Sequence, residues 1–362
     1  MFDVTHIITT IERGGAENQL LILAREQVRR GLRIAVIPLK GRLELQSDFM
    51  KLGVTVFSEI ASYGLGRQMI ACRKIASDSH IVHCHLPRAE LIGAIISKSS
   101  KLVVSRHNTE SFFPDAPSFL SRSLSRFVLS RSKSSIAIST AVADYLVTSG
   151  ELPRGIKPEV VLYGLDSDFA KKFNTEKDID ADILARLRGA NFVVTTIGRL
   201  AAQKDYPTLF SAFQLVLATE PNSVLVVIGE GDLLLELKEL SHNLGISGQI
   251  IWIGKTHNVA SYLSLSDIFV LTSKYEGFGL VLLEAMLLNV PIVASRNSAI
   301  REVLTPEHAG LVETGDYENF AEKFLIFRNE RNRSQLLEFQ AARLTNFSPS
   351  KMEAAIFQIY SS

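Results

Sequence analysis

The sequence predicts an α/β protein built from two doubly wound parallel sheets, and three observations lead there. Short, β-rich apolar runs alternate with helical patterns along nearly the whole chain. That alternation halts in one polar, charged passage, KKFNTEKDIDADILARLRGAN, and then begins again. With 362 residues, 46% of them hydrophobic, the chain exceeds what one ordinary core encloses.

The elements follow in order. THIITTI reads as a strand, and AENQLLILAREQVRRG has helical spacing that ends at Gly31. RIAVIPL, TVFSEI, HIVHCHL, LVVSRH and SSIAIS continue the first series of strands. In the second series FVVTTIG, SVLVVIG, IIWIG, DIFVLTS and PIVAS are five short buried strands, each followed by helix-like sequence. KMEAAIFQIY closes the chain as a short amphipathic helix. The predicted domains are residues 1–165 and 190–345, joined near 165–190.

Composition narrows the function. A net charge of +1 argues against a dedicated nucleic-acid binder. Two cysteines, Cys72 and Cys84, make no disulfide framework, so a reducing compartment is expected. MFDVTHIITTIERGG lacks the basic and apolar regions of a signal peptide, and no apolar run reaches the ~18 residues of a spanning helix. The expectation is a soluble, cytoplasmic chain. Charge is uneven, however: residues 1–165 hold 21 Lys and Arg against 14 Asp and Glu, and the remainder 18 against 24. The basic excess is densest in SRHNTESFFPDAPSFLSRSLSRFVLSRSKSS, where Arg106, Arg122, Arg126, Arg131 and Lys133 interleave with Phe112, Phe113, Phe119 and Phe127. Two readings stand here: a solvated amphipathic helix with its aromatics in the core, or a surface that leans on anionic lipid.

Ligands of open parallel sheets sit beyond the carboxyl ends of the strands, and the informative residues lie there. After the first strand, Gly14 and Gly15 permit close backbone approach ahead of a helix N-terminus. They do not form the spaced G-x-G-x-x-G of a dinucleotide site, which disfavours an NAD enzyme. Arg199 and Lys204 follow FVVTTIG, a fork and a point charge suited to a diphosphate leaving group. VVIGEGD puts Gly229 and Gly231 at another strand end, where a plain turn is an equal reading. In YEGFGLVLLEA, Glu276 lies in a loop, and the predicted helix begins about Leu280. Gly277, Phe278, Gly279 and Leu280 offer backbone amides to phosphate, and Glu284, one turn in, suits a ribose diol. The two glutamates are about 80° apart around a helix, so they address different parts of one long ligand. His83 and His85 flank Cys84 on one strand face, but no further ligand cluster accompanies them and no metal site is predicted.

Together GGAE, GRLAAQKDYPTL, EGFGLVLLEA and NVPIVAS are similar to family 4 of the retaining glycosyltransferases, and LYGLD and AGLVETGD extend the resemblance through nearly the whole chain. The resemblance implies the GT-B fold: two Rossmann-like domains facing across a cleft, donor on the second and acceptor on the first, with helix 350–361 packing back on the first. It implies Arg199 and Lys204 on the donor diphosphate, Glu276 on the sugar, Glu284 on the ribose, and Gly15 near the phosphates. It also implies that His107, in VVSRHNTES, acts near the reacting carbon; His85, Arg106 and Asn108 are expected on the acceptor side.

The implied reaction moves a sugar from a nucleotide diphosphate, a UDP-sugar first, to a hydroxyl of a saccharide or lipid-linked acceptor in cell-surface glycan synthesis. Anomeric retention, no cofactor and no metal are expected, with a peripheral position on the inner face of the cytoplasmic membrane. The rivals are a sugar-nucleotide epimerase or hydrolase, and a non-catalytic nucleotide-sugar-binding subunit. Two positions depart from the family pattern. SRNSAIREVL has no glycine where a Gly-rich turn is usual, and Tyr163 replaces the usual Asn of the hinge motif, a change expected to touch function little.

Overall fold

The computed structural model describes residues 1–165, 179–256 and 258–362. They form two compact units, Met1–Gly164 with Phe347–Ser362, and Leu165–Asn346. Asp166 of LYGLD and the start of the polar joining passage lie outside the described residues.

The first unit holds a seven-stranded sheet in the order β3-β2-β1-β4-β5-β6-β7. Its strands are β1 Phe2–Ile8, β2 Ile34–Pro38, β3 Thr55–Val56, β4 Ser79–His85, β5 Leu102–Arg106, β6 Ser134–Ala137 and β7 Glu159–Val160. Every pairing is parallel. TVFSEI, expected as a full strand, yields only Thr55–Val56 before the chain turns into a 3₁₀ helix, Ser58–Ser62.

Side-chain alternation divides this sheet into unlike faces. Ile7, Val82, Cys84, Leu102 and Val104 enter one apolar cluster. His6, His83, His85 and Ser105 point the other way, brought side by side by the register His6↔His83, Ile8↔His85 and His85↔Ser105. Two helices roof that polar face. Gly15–Arg29 supplies Gln19 and Gln27, and the C-terminal helix Pro349–Ser361 supplies Tyr360. Arg30 grips Glu353 with two bonds of 2.7 and 2.5 Å and lies 4.4 Å over the Phe357 ring, which clamps the two helices together. Gly164 admits this return: a β-carbon there would come within 2.6 Å of the Pro349 backbone.

The second unit holds a six-stranded parallel sheet in the order β10-β9-β8-β11-β12-β13. Its strands are β8 Phe192–Ile197, β9 Ser223–Ile228, β10 Ile250–Gly254, β11 Ile268–Leu271, β12 Ile292–Ser295 and β13 Leu311–Val312. The sequence gives five of these; β13, two residues long, carries too little apolar pattern to be read. The helix Ala181–Gly189, ahead of the expected boundary at 190, belongs to this unit because Ile183, Leu184 and Leu187 pack with Val193, Val224 and Val226. In both sheets the winding reverses once, between β1 and β4 and between β8 and β11. Those reversals splay the connecting loops and open the crevices where ligands bind in this architecture.

Candidate functional site

The β8/β11 reversal collects most of the residues singled out in the second half. Beyond β8 the backbone passes Gly198 so near to Gly229 that a β-carbon on Gly229 would collide with the Gly198 carbonyl. Gly229, φ +142°, is therefore demanded first by packing between strand-end loops. The turn Ala202–Lys204 leads to Asp205, held at φ +50°, before the helix Tyr206–Thr219. Four hydrogen bonds stitch this turn to the loop after β11. Thr272 donates its hydroxyl to the carbonyls of Lys204 (2.9 Å) and Asp205 (3.1 Å). The Lys274 amide donates to the Gln203 carbonyl (2.8 Å), and the Gln203 side chain to the Tyr275 carbonyl (2.9 Å).

This stitching sets Lys204 against Glu276. The ammonium donates to Glu276 Oε1 at 2.5 Å, and the Ser273 hydroxyl donates to the same oxygen at 2.6 Å. The two side chains are only 16% and 9% exposed. Two residues expected on different groups of a ligand, diphosphate and sugar, are thus each other's partner here. Arg199 is exposed in the same loop. Asn297 occupies the segment that lacks the family's glycines. It caps the helix Ser298–Leu304 and donates to the Ser273 carbonyl at 3.0 Å, so it supports the Glu276 loop instead of lending a free turn.

The helix Leu280–Leu287 begins where the sequence puts it, without a side-chain cap, behind Gly279 at φ +88°. Phe278 is 3% exposed, so its side chain belongs to the core and only its backbone can meet a ligand. The half-buried Glu284 carboxyl accepts no hydrogen bond among the described residues and is pushed by burial up to about 7. A carboxyl so placed lacks only a donor, and a vicinal diol supplies two.

In the first unit the structure revises several expectations. Arg106, expected on the acceptor side and in the basic surface, is 5% exposed. It pairs with Glu90 at 2.8 Å and Glu151 at 3.5 Å, donates to Ser125 at 2.9 Å and stacks 4.2 Å over Phe112. Burial outweighs the guanidinium and holds the Glu90 carboxyl up at about 7. This is a core ion-pair cluster, and Phe112 is core with it. Asn108 is exposed and donates to Glu110 at 3.3 Å. Gly14 and Gly15 open the first helix as predicted, but a β-carbon on Gly14 would stand 3.2 Å from the carboxyl carbon of Glu17. That carboxyl, buried and bonded by the Thr10 hydroxyl at 2.6 Å, has its affinity for a proton raised, chiefly by burial. Glu17 is thus a neighbour of the glycine turn that no spacing argument isolates.

His85 is 2% exposed and reaches a ligand only through others. Its Nε2 meets His6 Nδ1 at 3.0 Å, and its Nδ1 meets His107 Nε2 at 3.2 Å. His107 Nδ1 meets the Tyr163 hydroxyl, so Tyr163 touches the candidate site directly, contrary to expectation. His6 Nε2 meets Gln27 Oε1 at 2.8 Å, and His83 joins Tyr360 and Ser105, each at 2.7 Å. Burial drives these imidazoles toward the neutral form, His6 to about 4 and His107 to about 3. A cavity of about 20 Å³, room for one water, adjoins His83, His85, His107 and Tyr163. His6, which the sequence leaves unpaired, completes a group of three histidines whose nitrogens lie within 4.8 Å of one another. A metal could be held there only by displacing hydrogen bonds that these nitrogens already make, and among the described residues no carboxylate joins the group to offset the charge.

Two Rossmann-like parallel sheets, each with candidate residues at its winding reversal, define a GT-B protein, and known proteins agree. Residues 13–169 match the model of Glycosyltransferase Family 4, and residues 185–342 that of Glycosyl transferases group 1. The chain belongs to this family of glycosyltransferases. It is 38% identical over 108 residues to the N-acetyl-alpha-D-glucosaminyl L-malate synthase of Bacillus anthracis, a match to 30% of this chain and 28% of that protein. It is 27% identical over 243 residues to the GDP-mannose-dependent alpha-(1-6)-phosphatidylinositol monomannoside mannosyltransferase of Mycobacterium tuberculosis, 63% of this chain and 59% of that one. The chain therefore spans between about a quarter and three-fifths of these relatives. The structure of Anabaena Alr3699/HepE with UDP and glucose superposes at a TM-score of 0.82, with 19% identity and full coverage of both chains, and shares the fold. No helix among the described residues is long and apolar enough to cross a membrane.

Proposed function

We propose that the chain transfers a sugar, with retention, from a UDP-sugar to a hydroxyl of a lipid-linked or polysaccharide acceptor, and that no metal takes part. The observation that carries this is the β8/β11 crevice: an ammonium paired with Glu276, a second cation in the same loop, and, one turn into the next helix, the Glu284 carboxyl, which has no partner among the described residues. As the glycosidic bond to phosphate breaks, Lys204 and Arg199 offset the charge growing on the diphosphate, as a divalent ion does in other enzymes. Glu284 takes the ribose hydroxyls, and Glu276 turns to the sugar once phosphate claims Lys204. UDP is favoured because Alr3699/HepE binds UDP-glucose and an Escherichia coli relative is named as using UDP-Gal; that relative acts on a diphosphoundecaprenol-linked sugar. The Rhizobium meliloti relative LpsB is named for lipopolysaccharide core synthesis, which supports the acceptor class.

The helix Ser118–Arg131 supports a working place at an anionic bilayer, on the inner face of the cytoplasmic membrane. Phe119 is 70% and Phe127 42% exposed, alongside exposed Arg122, Arg126 and Arg131. Of the two readings of the basic stretch, Phe112 follows the core one and these two rings the surface one.

A thermal-shift panel of UDP-, GDP- and ADP-sugars tests the donor. Binding at 100 Kd adds about 2.7 kcal/mol, which raises the melting point of the donor-binding unit by several degrees. A panel in which no nucleotide sugar moves the transition sinks the proposal, and a shift by GDP-sugars alone replaces the base. Product analysis with donor alone separates transfer from epimerisation or hydrolysis. Flotation with anionic against neutral vesicles tests the surface; equal recovery from both removes it.

A further inference from the structure

The histidine array has a direction. Gln27 has its amide nitrogen on the Tyr360 hydroxyl (3.2 Å) and its carbonyl oxygen on His6 Nε2 (2.8 Å). The carbonyl only accepts, so His6 carries its hydrogen on Nε2, which makes His6 Nδ1 an acceptor. His85 must then donate from Nε2, leaving His85 Nδ1 to accept from His107 Nε2–H. His107 Nδ1 is left with a lone pair, to which Tyr163 donates its hydroxyl hydrogen. The other branch obeys the same logic: Tyr360 accepts from Gln27 and donates to His83 Nδ1, and His83 donates from Nε2 to Ser105. One amide thereby fixes the hydrogen of four imidazoles, and turning that amide over would reverse all of them together.

We propose that Gln27 is a positioning residue that sets the tautomer of His107, so that its Nδ1 meets a substrate as a hydrogen-bond acceptor. Tyr163, standing where the family motif has Asn, holds that lone pair with a hydroxyl, and a substrate hydroxyl replaces it like for like. The consequence for recognition is directional. A ligand group at His107 must be an O–H donor; an ether or carbonyl oxygen at the same place finds no hydrogen to accept. Because the buried imidazoles resist protonation, the arrangement holds across ordinary pH. This inference rests on the reading of His107 as a substrate contact.

The relay is read without turnover by long-range 15N–1H spectra of the full chain labelled at histidine, with His107 assigned by its loss in His107→Asn. The expected spectrum has His6, His83, His85 and His107 neutral and protonated at Nε2. Gln27→Leu removes the anchoring acceptor: His107 becomes a mixture of tautomers and kcat falls on the order of tenfold, with the donor KM within about twofold of wild type. Gln27→Glu, which in this buried place carries a proton, still accepts from His6 and donates to Tyr360, and restores both readouts. A wild-type His107 protonated at Nδ1 overturns the inference, as does a Gln27→Leu protein of unchanged spectrum and kcat. A correct Nε2–H pattern in a chain that transfers no sugar sinks only the functional reading.

Discussion

Replacing Glu276 by Gln separates binding from turnover at the proposed donor site. In the structure Lys204 Nζ lies 2.5 Å from Glu276 Oε1, both side chains under one-fifth exposed. The gross attraction of unit charges at that distance is about 7 kcal/mol at an effective dielectric of 20. Desolvating both groups offsets most of it, so losing the charge while keeping a hydrogen-bond acceptor costs about 1–2 kcal/mol of stability. The same sum has the opposite sign for a diphosphate. In the wild type, phosphate must draw Lys204 from a carboxylate that also repels the ligand. In Glu276→Gln neither penalty remains, and UDP binds tighter by about 1–2 kcal/mol, roughly 5–30-fold.

Sugar transfer moves the other way, because the group proposed to meet the sugar has lost its charge: kcat falls by about 100-fold or more. Titration calorimetry with UDP, beside a transfer assay with UDP-sugar, reads both. The paired outcome is what matters, since a merely damaged site weakens both together. UDP binding that is unchanged or weaker in Glu276→Gln refutes the idea that Glu276 holds Lys204 in reserve for phosphate.

Three further outcomes follow from the geometry. Glu284, raised by burial from 4.5 to about 7, binds its proton more tightly folded than unfolded, so its contribution to stability falls as pH rises from about 4.5 to about 7 and is level above. Urea melts should show Glu284→Gln stabilising at pH 8, by roughly 2–3 kcal/mol, and neutral at pH 4, while UDP affinity, which needs the ionised form, rises toward pH 7.5 in the wild type only. Arg106→Leu should cost about 3 kcal/mol in urea melts at pH 7, limited because Glu90 can take up a proton once its partner is gone; a loss under about 1 kcal/mol contradicts a core role. Gly229→Ala should drive the β8 and β9 loops apart, lower the melting point by several degrees and abolish the UDP-induced shift, whereas normal binding would show that the close approach to Gly198 is dispensable.

The fold was legible because strand alternation and strand-end glycines are local signals, repeated often enough to reinforce one another. Glu159–Val160 and Leu311–Val312 escaped because two residues carry no period, and TVFSEI was read as longer than the Thr55–Val56 that pairs. On the donor side Arg199, Lys204, Glu276 and Glu284 could be picked out by their offsets from strands, but their mutual arrangement could not. The Lys204–Glu276 pair depends on how the loops after β8 and β11 are stitched by Thr272 and Gln203, and that contact spans 72 residues. The first unit misled where charge stood in for exposure. Arg106 reads as one more surface cation until Glu90 and Glu151 close around it from distant segments and Phe112, in the loop that follows it, lies under it. His6 lacks any neighbouring signal, and its meaning comes from lying in register with His83 on the adjacent strand.

Under the proposed function the two units meet unlike problems with unlike physics. A departing diphosphate gains charge, so the second unit keeps a compensated cation whose partner can be exchanged for phosphate. A hydroxyl to be oriented gains no charge until late, and the buried cation beside His107, Arg106, is engaged by Glu90 and Glu151. The first unit accordingly keeps four imidazoles neutral and uses hydrogen direction, which costs no buried charge. Salt should expose the difference. Raising ionic strength weakens UDP binding at Lys204 and Arg199 by screening, while the tautomer pattern running from Gln27 to Tyr163, buried and uncharged, stays as it is.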